Sequence, residues 1–212
     1  MKVLVACEYS GVVRDAFLAK GHDAISCDLL PTDVPGPHYQ GDVFDLDLES
    51  FDLMIAHPPC TYLTCSAEWA YKDRDQINKN LSADKLYGAD RRLARVRAVE
   101  FFMRLARAPI ERKAIENPVG VMSTMWRKPD QYIQPHEYGH DASKRTGLWL
   151  EGLPLLEGTK NIEPRMVNGL PRWGNQTDSG QNREPPSADR WKTRSVTWKG
   201  WGEAMADQWG SK

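Results

Sequence analysis

Phe51-Asp52-Leu53-Met54-Ile55-Ala56-His57-Pro58-Pro59-Cys60 runs an apolar segment into two prolines and a cysteine. Such a short run, bounded by turn-forming residues, reads as a buried strand over 52–56. Strands that are apolar on both faces belong to parallel sheets covered by helices. In those sheets ligands gather outside the C-terminal strand ends, which is where Cys60 falls. A cysteine picked at random is more often a small packing residue. Here two prolines fix the backbone in front of it, and the polar Thr61-Tyr62-Leu63-Thr64 follows. That setting favours a thiol presented for reaction, and its thiolate is the strongest side-chain nucleophile.

Working outward, residues 2–7 read as a first strand, Glu8-Tyr9-Ser10-Gly11 as a turn, and 12–20 as a helix that Gly21 stops. Residues 24–28 read as a second strand ending at Asp28, and 41–45 as a third segment carrying Asp42. Downstream, 66–90 is polar with mixed charge and reads as a lid following the cysteine. A helix over 89–108 places Leu93, Val96, Val99, Phe102, Met103 and Ala106 on one face. Residues 113–116 and 147–150 fit two further strands, and 198–209 a closing helix. The stretch 157–193 is crowded with Pro, Gly, Asn, Gln and Arg, shows no period, and reads as loop. Strands alternating with helix-length segments predict an α/β fold, doubly wound around a mostly parallel sheet, in a single domain over 1–212.

The 212 residues suffice for one full core. With 28 basic and 29 acidic residues the net charge is -1, so any attraction to nucleic acid is local. No apolar run approaches the ~20 residues of a membrane span, and residues 1–6 lack signal-peptide architecture, so a cytoplasmic protein without membrane partners is expected. Cys7, Cys27, Cys60 and Cys65 show no disulfide spacing and are expected to be free thiols. His57, His136 and His140 offer no convergent metal-ligand set, so no metal is expected and they are given no chemical role.

Acids at early strand ends suit a nucleoside: Asp28 for ribose hydroxyls, Asp42 for an adenine amine, with Gly11 allowing close backbone approach. The G-x-G-x-x-G fingerprint is absent, which disfavours nicotinamide and flavin and leaves open an adenosyl cofactor without a pyrophosphate. A second strand end carries Glu116-Asn117-Pro118. A thiolate beside a carboxyl group held protonated is what activates an electron-poor pyrimidine: the thiolate adds to C6, the acid supports N3, and C5 becomes nucleophilic.

These residues resemble the DNA cytosine-5 methyltransferases, in particular short, phage-type members. Pro58-Pro59-Cys60 is similar to the family's nucleophile motif, and Glu116-Asn117-Pro118 to its Glu-Asn-Val motif. The resemblance implies S-adenosyl-L-methionine as cofactor, held by Glu8, Ser10, Gly11, Asp28, Asp42, Pro58 and Gly200. It implies catalysis by Cys60 and Glu116, with Arg145 against the target base and Asn117 shaping the pocket. The expected type is therefore the Rossmann-like methyltransferase fold. The first motif lacks the aromatic and second glycine of Phe-x-Gly-x-Gly. In the arginine motif Ser143 replaces Gln, and Gly147 stands where a second Arg would be. The interval before the last motif is too short for a full target-recognition domain, so 157–193 is expected to be a remnant of one.

The expected partner is DNA or a cytosine nucleotide. Single-stranded DNA, RNA, free nucleotide and a catalytically silent binding module remain alternatives, and a recognition partner or a second copy stays open. Amino-methyltransferases carry an aromatic after Pro-Pro where this chain has Cys60. Zinc deaminases need H-x-E and P-C-x-x-C, which are absent. The second-cysteine motif of RNA cytosine methyltransferases is not matched by Cys65, which lies beside Cys60. The lid cations Lys72, Lys79 and Lys85, and the late Arg165, Arg172, Arg183, Arg190 and Arg194, are expected phosphate contacts. The helix arginines are expected to be solvated. Among the tryptophans, Trp173 and Trp191 are the expected base-stacking exceptions.

Overall fold

The computed structural model describes residues 1–77, 79–185, 187 and 190–211, the side chains of Arg190 and Trp191 excepted. Strands β1 (Lys2–Ala6), β2 (Asp23–Asp28), β3 (His38–Gln40), β4 (Leu53–Ala56), β5 (Arg112–Pro118), β6 (Gln131–Ile133) and β7 (Thr146–Glu151) form one sheet. Their order is β3-β2-β1-β4-β5-β7-β6. Neighbours pair in parallel from β3 to β5, whereas β7 runs antiparallel to both β5 and β6. Helix α1 (Val12–Ala19) links β1 to β2, and α2 (Gly88–Ala106) precedes β5. A single short turn, α3 (Met122–Met125), follows β5. Strands β8 (Arg165–Val167) and β9 (Leu170–Arg172) make a separate hairpin. Helices α4 (Arg190–Ser195) and α5 (Lys199–Trp209) end the described chain.

The period of two sets the layers. Val3, Val5, Leu53, Ile55 and Ala114 face one side, where they pack with Phe17 of α1 and Trp201, Met205 and Trp209 of α5. Leu4, Ala6, Met54, Ala56 and Ile115 face the other, with Phe102 and Leu105 of α2 and Trp149 of β7. Both faces are covered, which is why β1 and β4 read as unbroken apolar runs. Chain order reverses at β1 and β4, so a crevice opens between their C-terminal ends, at the topological switch point of a Rossmann-like sheet.

Four expectations change. The third strand lies earlier than 41–45, at His38–Gln40, and Val43–Asp45 is a 3-10 turn. Helix α2 buries only part of its apolar stripe: Leu93 is 51% and Val96 49% exposed, because its first half packs on the lid rather than the sheet. There Arg95 donates to the carbonyls of Tyr62 and Thr64, pairs with Glu68 at 2.6 Å and sits 3.5 Å over the Tyr71 ring. The sheet gains β6, absent from the sequence reading. And 157–193, expected to be loop, contains β8, β9 and the first residues of α4. No described helix is long and apolar enough to cross a membrane.

Candidate active site

Register brings the site together. Ala6 lies opposite Ala56, and Ala56 opposite Ile115, so the next residues along β4 and β5, His57 and Glu116, are side by side at the crevice. The Nδ1–H of His57 donates to Oε2 of Glu116 at 3.0 Å, and both side chains are buried. One position further on, Asn117 donates from Nδ2 to the carbonyl of Pro58 at 2.8 Å. This clasp ties the Glu116 strand end to the Pro-Pro turn that carries Cys60. Leu63 and Thr64 then donate their amides to the Cys60 carbonyl and close a turn around it. The clasp is buried on both sides, so Asn117→Ala strands the Pro58 carbonyl. We expect a loss of about 1–3 kcal/mol in denaturant unfolding, with slower chemistry at Cys60; a stability change within a few tenths of a kcal/mol would refute the clasp.

The electrostatics of the three groups differ. Burial pushes the Cys60 thiol up; Lys144 and Arg194 offset part of this and Glu116 adds to it. Burial also pushes Glu116 up, but the His57 hydrogen bond and the charge of Lys144 outweigh it, and its carboxyl sits below the usual range. The sequence reading asked for a protonated acid here. The carboxyl group is instead held low, because His57, the residue after β4, lies within hydrogen-bond reach of it. Glu8, at the end of β1, shifts the opposite way: burial raises it, against the charge of His57 and the amides of Val13 and Arg14.

Glu8 also decides what the crevice accepts. Its Oε1 takes the Val13 amide at 2.7 Å and the Ser10 hydroxyl at 3.4 Å, and its Oε2 takes the Arg14 amide at 3.2 Å. The N-terminus of α1, where this fold class seats a pyrophosphate, is thus filled by the chain's own carboxylate. Asp28 is half-buried at the end of β2, its Oδ1 accepting from Leu30 at 2.9 Å, and burial raises its carboxyl. Asp42 is exposed and caps the 3-10 turn through Phe44, and burial, with Asp28 and Asp42 adding to it, pushes the Cys7 thiol up. Gly11 adopts φ 73°, and a Cβ there would strike the Arg14 guanidinium and Val34, so protein packing accounts for that glycine. Gly200 lies where a Cβ would collide with the Tyr138 carbonyl, and its amide donates to Nε2 of His140 at 2.9 Å. The structure thus accounts for Gly200 through helix packing.

Arg145 is exposed with its guanidinium 4.0 Å over the Tyr132 ring. The cation acting on both Cys60 and Glu116 is its neighbour Lys144. Lys144 and Arg194 also line an open cleft of about 840 Å³ with Arg183, Lys199, Asn175 and Asn182. Other expected phosphate contacts are engaged elsewhere: Arg165 pairs with Asp178 at 2.6 Å, Arg172 donates to the Asp178 carbonyl, and Lys79 lies over Trp69. Trp173 stacks on His136 with centroids 4.4 Å apart, so that face is taken. The expectations for the Arg190 and Trp191 side chains fall outside the described residues.

Sequence reasoning missed two side chains at the site, His57 and Lys144, and one element of the fold, the β8–β9 hairpin. His57 carries no pattern that a lone sequence exposes, since its role follows from strand register. The β8–β9 hairpin did carry one: Asn168-Gly169, both at positive φ (49° and 75°), between apolar residues is a two-residue hairpin turn. All four cysteines are free thiols. In comparisons with known proteins, no family model and no curated protein matches this chain, so its residues and their geometry carry the functional argument.

Proposed function

We propose that this chain is an S-adenosyl-L-methionine-dependent methyltransferase acting on C5 of cytosine in DNA through a covalent Cys60 adduct, on a methyltransferase-type Rossmann-like sheet. The observation that carries this reading is the clasp from Asn117 to Pro58, which joins Pro-Pro-Cys to Glu-Asn and puts Cys60 in the fields of Glu116 and Lys144. The crevice donor set fits the cofactor. An anionic group is disfavoured where Glu8 caps α1, while the carboxylates of Glu8, Asp28 and Asp42 suit a cation that also carries hydroxyls and an amine. S-adenosyl-L-methionine supplies the electrophilic methyl group when bound. Asp28 would accept from its ribose and Asp42 would lie toward its adenine.

The chain's residues then divide the work. Cys60 attacks C6 as thiolate, Glu116 supports N3, and Lys144 stabilises negative charge on both side chains. Asn117 fixes the turn that aims the sulfur, and C5, now electron-rich, takes the methyl group. Elimination of Cys60 after loss of the C5 proton completes the cycle. The cationic cleft beside Cys60 would hold substrate phosphate. Its volume is on the scale of a site for a single small ligand. With one hairpin in place of a recognition domain, this favours single-stranded DNA, RNA or free nucleotide as the second reading of the substrate.

Incubation with cofactor and 5-fluorocytosine in duplex DNA, in single-stranded DNA and RNA, and as the free nucleotide, read by intact-protein mass spectrometry, tests both readings. Covalent mass on Cys60 with one substrate is expected and names its class. No adduct with any of them, in protein that binds the cofactor, would leave a binding module.

A further inference from the structure

His57 is the residue the chemistry above leaves unexplained. Its side chain is buried in the crevice, it touches the one carboxylate expected to act as an acid, and its hydrogen bond helps hold that carboxyl group below the usual range. Two polar atoms at this pair, Nε2 of His57 and Oε1 of Glu116, are buried and find no hydrogen-bond partner among the described residues. Buried polar atoms are nearly always paired, and an orphaned donor or acceptor costs about 1–3 kcal/mol. An unpaired acceptor on Glu116, with the other oxygen of the same carboxylate fixed by histidine, is arranged to meet a substrate group.

We propose that His57 stores the proton that the Glu116 carboxyl group delivers to N3 of the target cytosine, and so serves as the positioning residue for Glu116. This rests on the cytosine reading above. The charges facing the pair support it. Glu8 approaches His57 from β1, Lys144 approaches Glu116 from the segment before β7, and Cys60 lies on the same turn as His57. Arg14 acts on Glu8 from α1. Glu8 and Glu116 are displaced in opposite directions, the arrangement in which one group of a set can give and another take a proton.

The step balances with one proton. As the Cys60 sulfur bonds to C6, the C5–C6 π pair moves to C4–C5 and the C4–N3 π pair to N3, which takes up a proton. That proton passes from Nδ1 of His57 to Oε2 of Glu116 and from Oε2 to N3, while the unpaired Oε1 accepts from the exocyclic amine of the base, and a neutral imidazole is left. After C5 has taken the methyl group, its proton passes to water, the S–C6 bond breaks as the C5–C6 double bond re-forms, N3 returns its proton by the same path, and Cys60 departs as thiolate.

The test compares the pH dependence of 5-fluorocytosine adduct formation in wild type and His57→Asn, alongside ¹⁵N NMR titration of the His57 ring in wild type and Glu116→Gln. Asparagine keeps a donor where Nδ1 stands but has no proton to transfer. A wild-type rate needing both Cys60 thiolate and charged His57 rises with pH and then levels once His57 is neutral. His57→Asn is expected to be about 10²-fold slower and to keep rising until the thiol itself has titrated. In the NMR arm Glu116→Gln should lower the pH at which His57 loses its proton. A folded His57→Asn protein within twofold of wild type, or one whose profile levels as wild type does, overturns the proposal. Should His57→Asn fail to fold, the NMR arm decides: a His57 titration unmoved by Glu116→Gln overturns the proposal, and a lowered one upholds the proton store. If wild type forms no adduct with any cytosine, the cytosine reading falls by itself and the same NMR result judges the pair independently of it.

Discussion

Cys60→Ser abolishes adduct formation and methyl transfer while leaving cofactor binding and fold intact. That is the expected result, with a rate loss of at least about 10³-fold, the scale on which removing a covalent nucleophile acts. The side chain is only partly buried, at the outer end of β4, and serine is nearly the same size. The change therefore removes chemistry rather than packing. A hydroxyl has no base within the observed contacts to ionise it, whereas a thiol can ionise even here. Because burial, reinforced by Glu116, pushes the thiol up, most of it is protonated at neutral pH. The wild-type rate should therefore climb on the acid side about tenfold per pH unit as the thiolate fraction grows. Transfer of a labelled methyl group and calorimetric cofactor titration check both halves. A serine variant that still transfers methyl, or a wild-type rate that falls from pH 6 to 7, would remove Cys60 from the nucleophile's place.

The parts of this arrangement that are local in sequence were legible before the structure. Val3-Leu4-Val5-Ala6 and Leu53-Met54-Ile55-Ala56 are apolar on both faces, so buried parallel strands followed from them, and with those strands the placing of Cys60 and Glu116 at one sheet edge. What depends on pairing between distant segments was not legible. The antiparallel β7, inserted between β5 and β6, is fixed by contacts such as Glu116 opposite Leu148, which no local period records. The pairing of His57 with Glu116 has the same origin. Lys144 and Arg145 differ by one position, yet Lys144 acts on Cys60 and Glu116 while Arg145 stacks on Tyr132, a division that a motif alignment does not record. The stripe on α2 shows a further limit: helical period reports which side is apolar, not how far along it anything covers it.

Trp201→Ala carries the largest expected cost to stability, and its consequence reaches the site. Trp201 is fully buried in the layer that joins α5 to α1 and the sheet, among Val13, Phe17 and Met205, edge-on to Tyr138. Removing a buried tryptophan costs about 3–5 kcal/mol, a large share of the roughly 5–15 kcal/mol that holds a domain folded. At about 2–4 °C per kcal/mol for a chain of this size, the midpoint should fall on the order of 10 °C. Trp201→Phe should cost much less, for a stated reason. The indole Nε1 is buried with no partner among the described residues, so phenylalanine gives up contact area but also removes an orphaned donor. Since α5 packs along α1, and the first turn of α1 is what Glu8 holds, the alanine variant should weaken cofactor binding more than it slows attack by Cys60. Thermal unfolding of the two variants, with cofactor titration below the midpoint, decides this. Equal losses for Ala and Phe would mean that the indole donor is paired, and unchanged cofactor affinity in Trp201→Ala would uncouple α5 from the Glu8 turn.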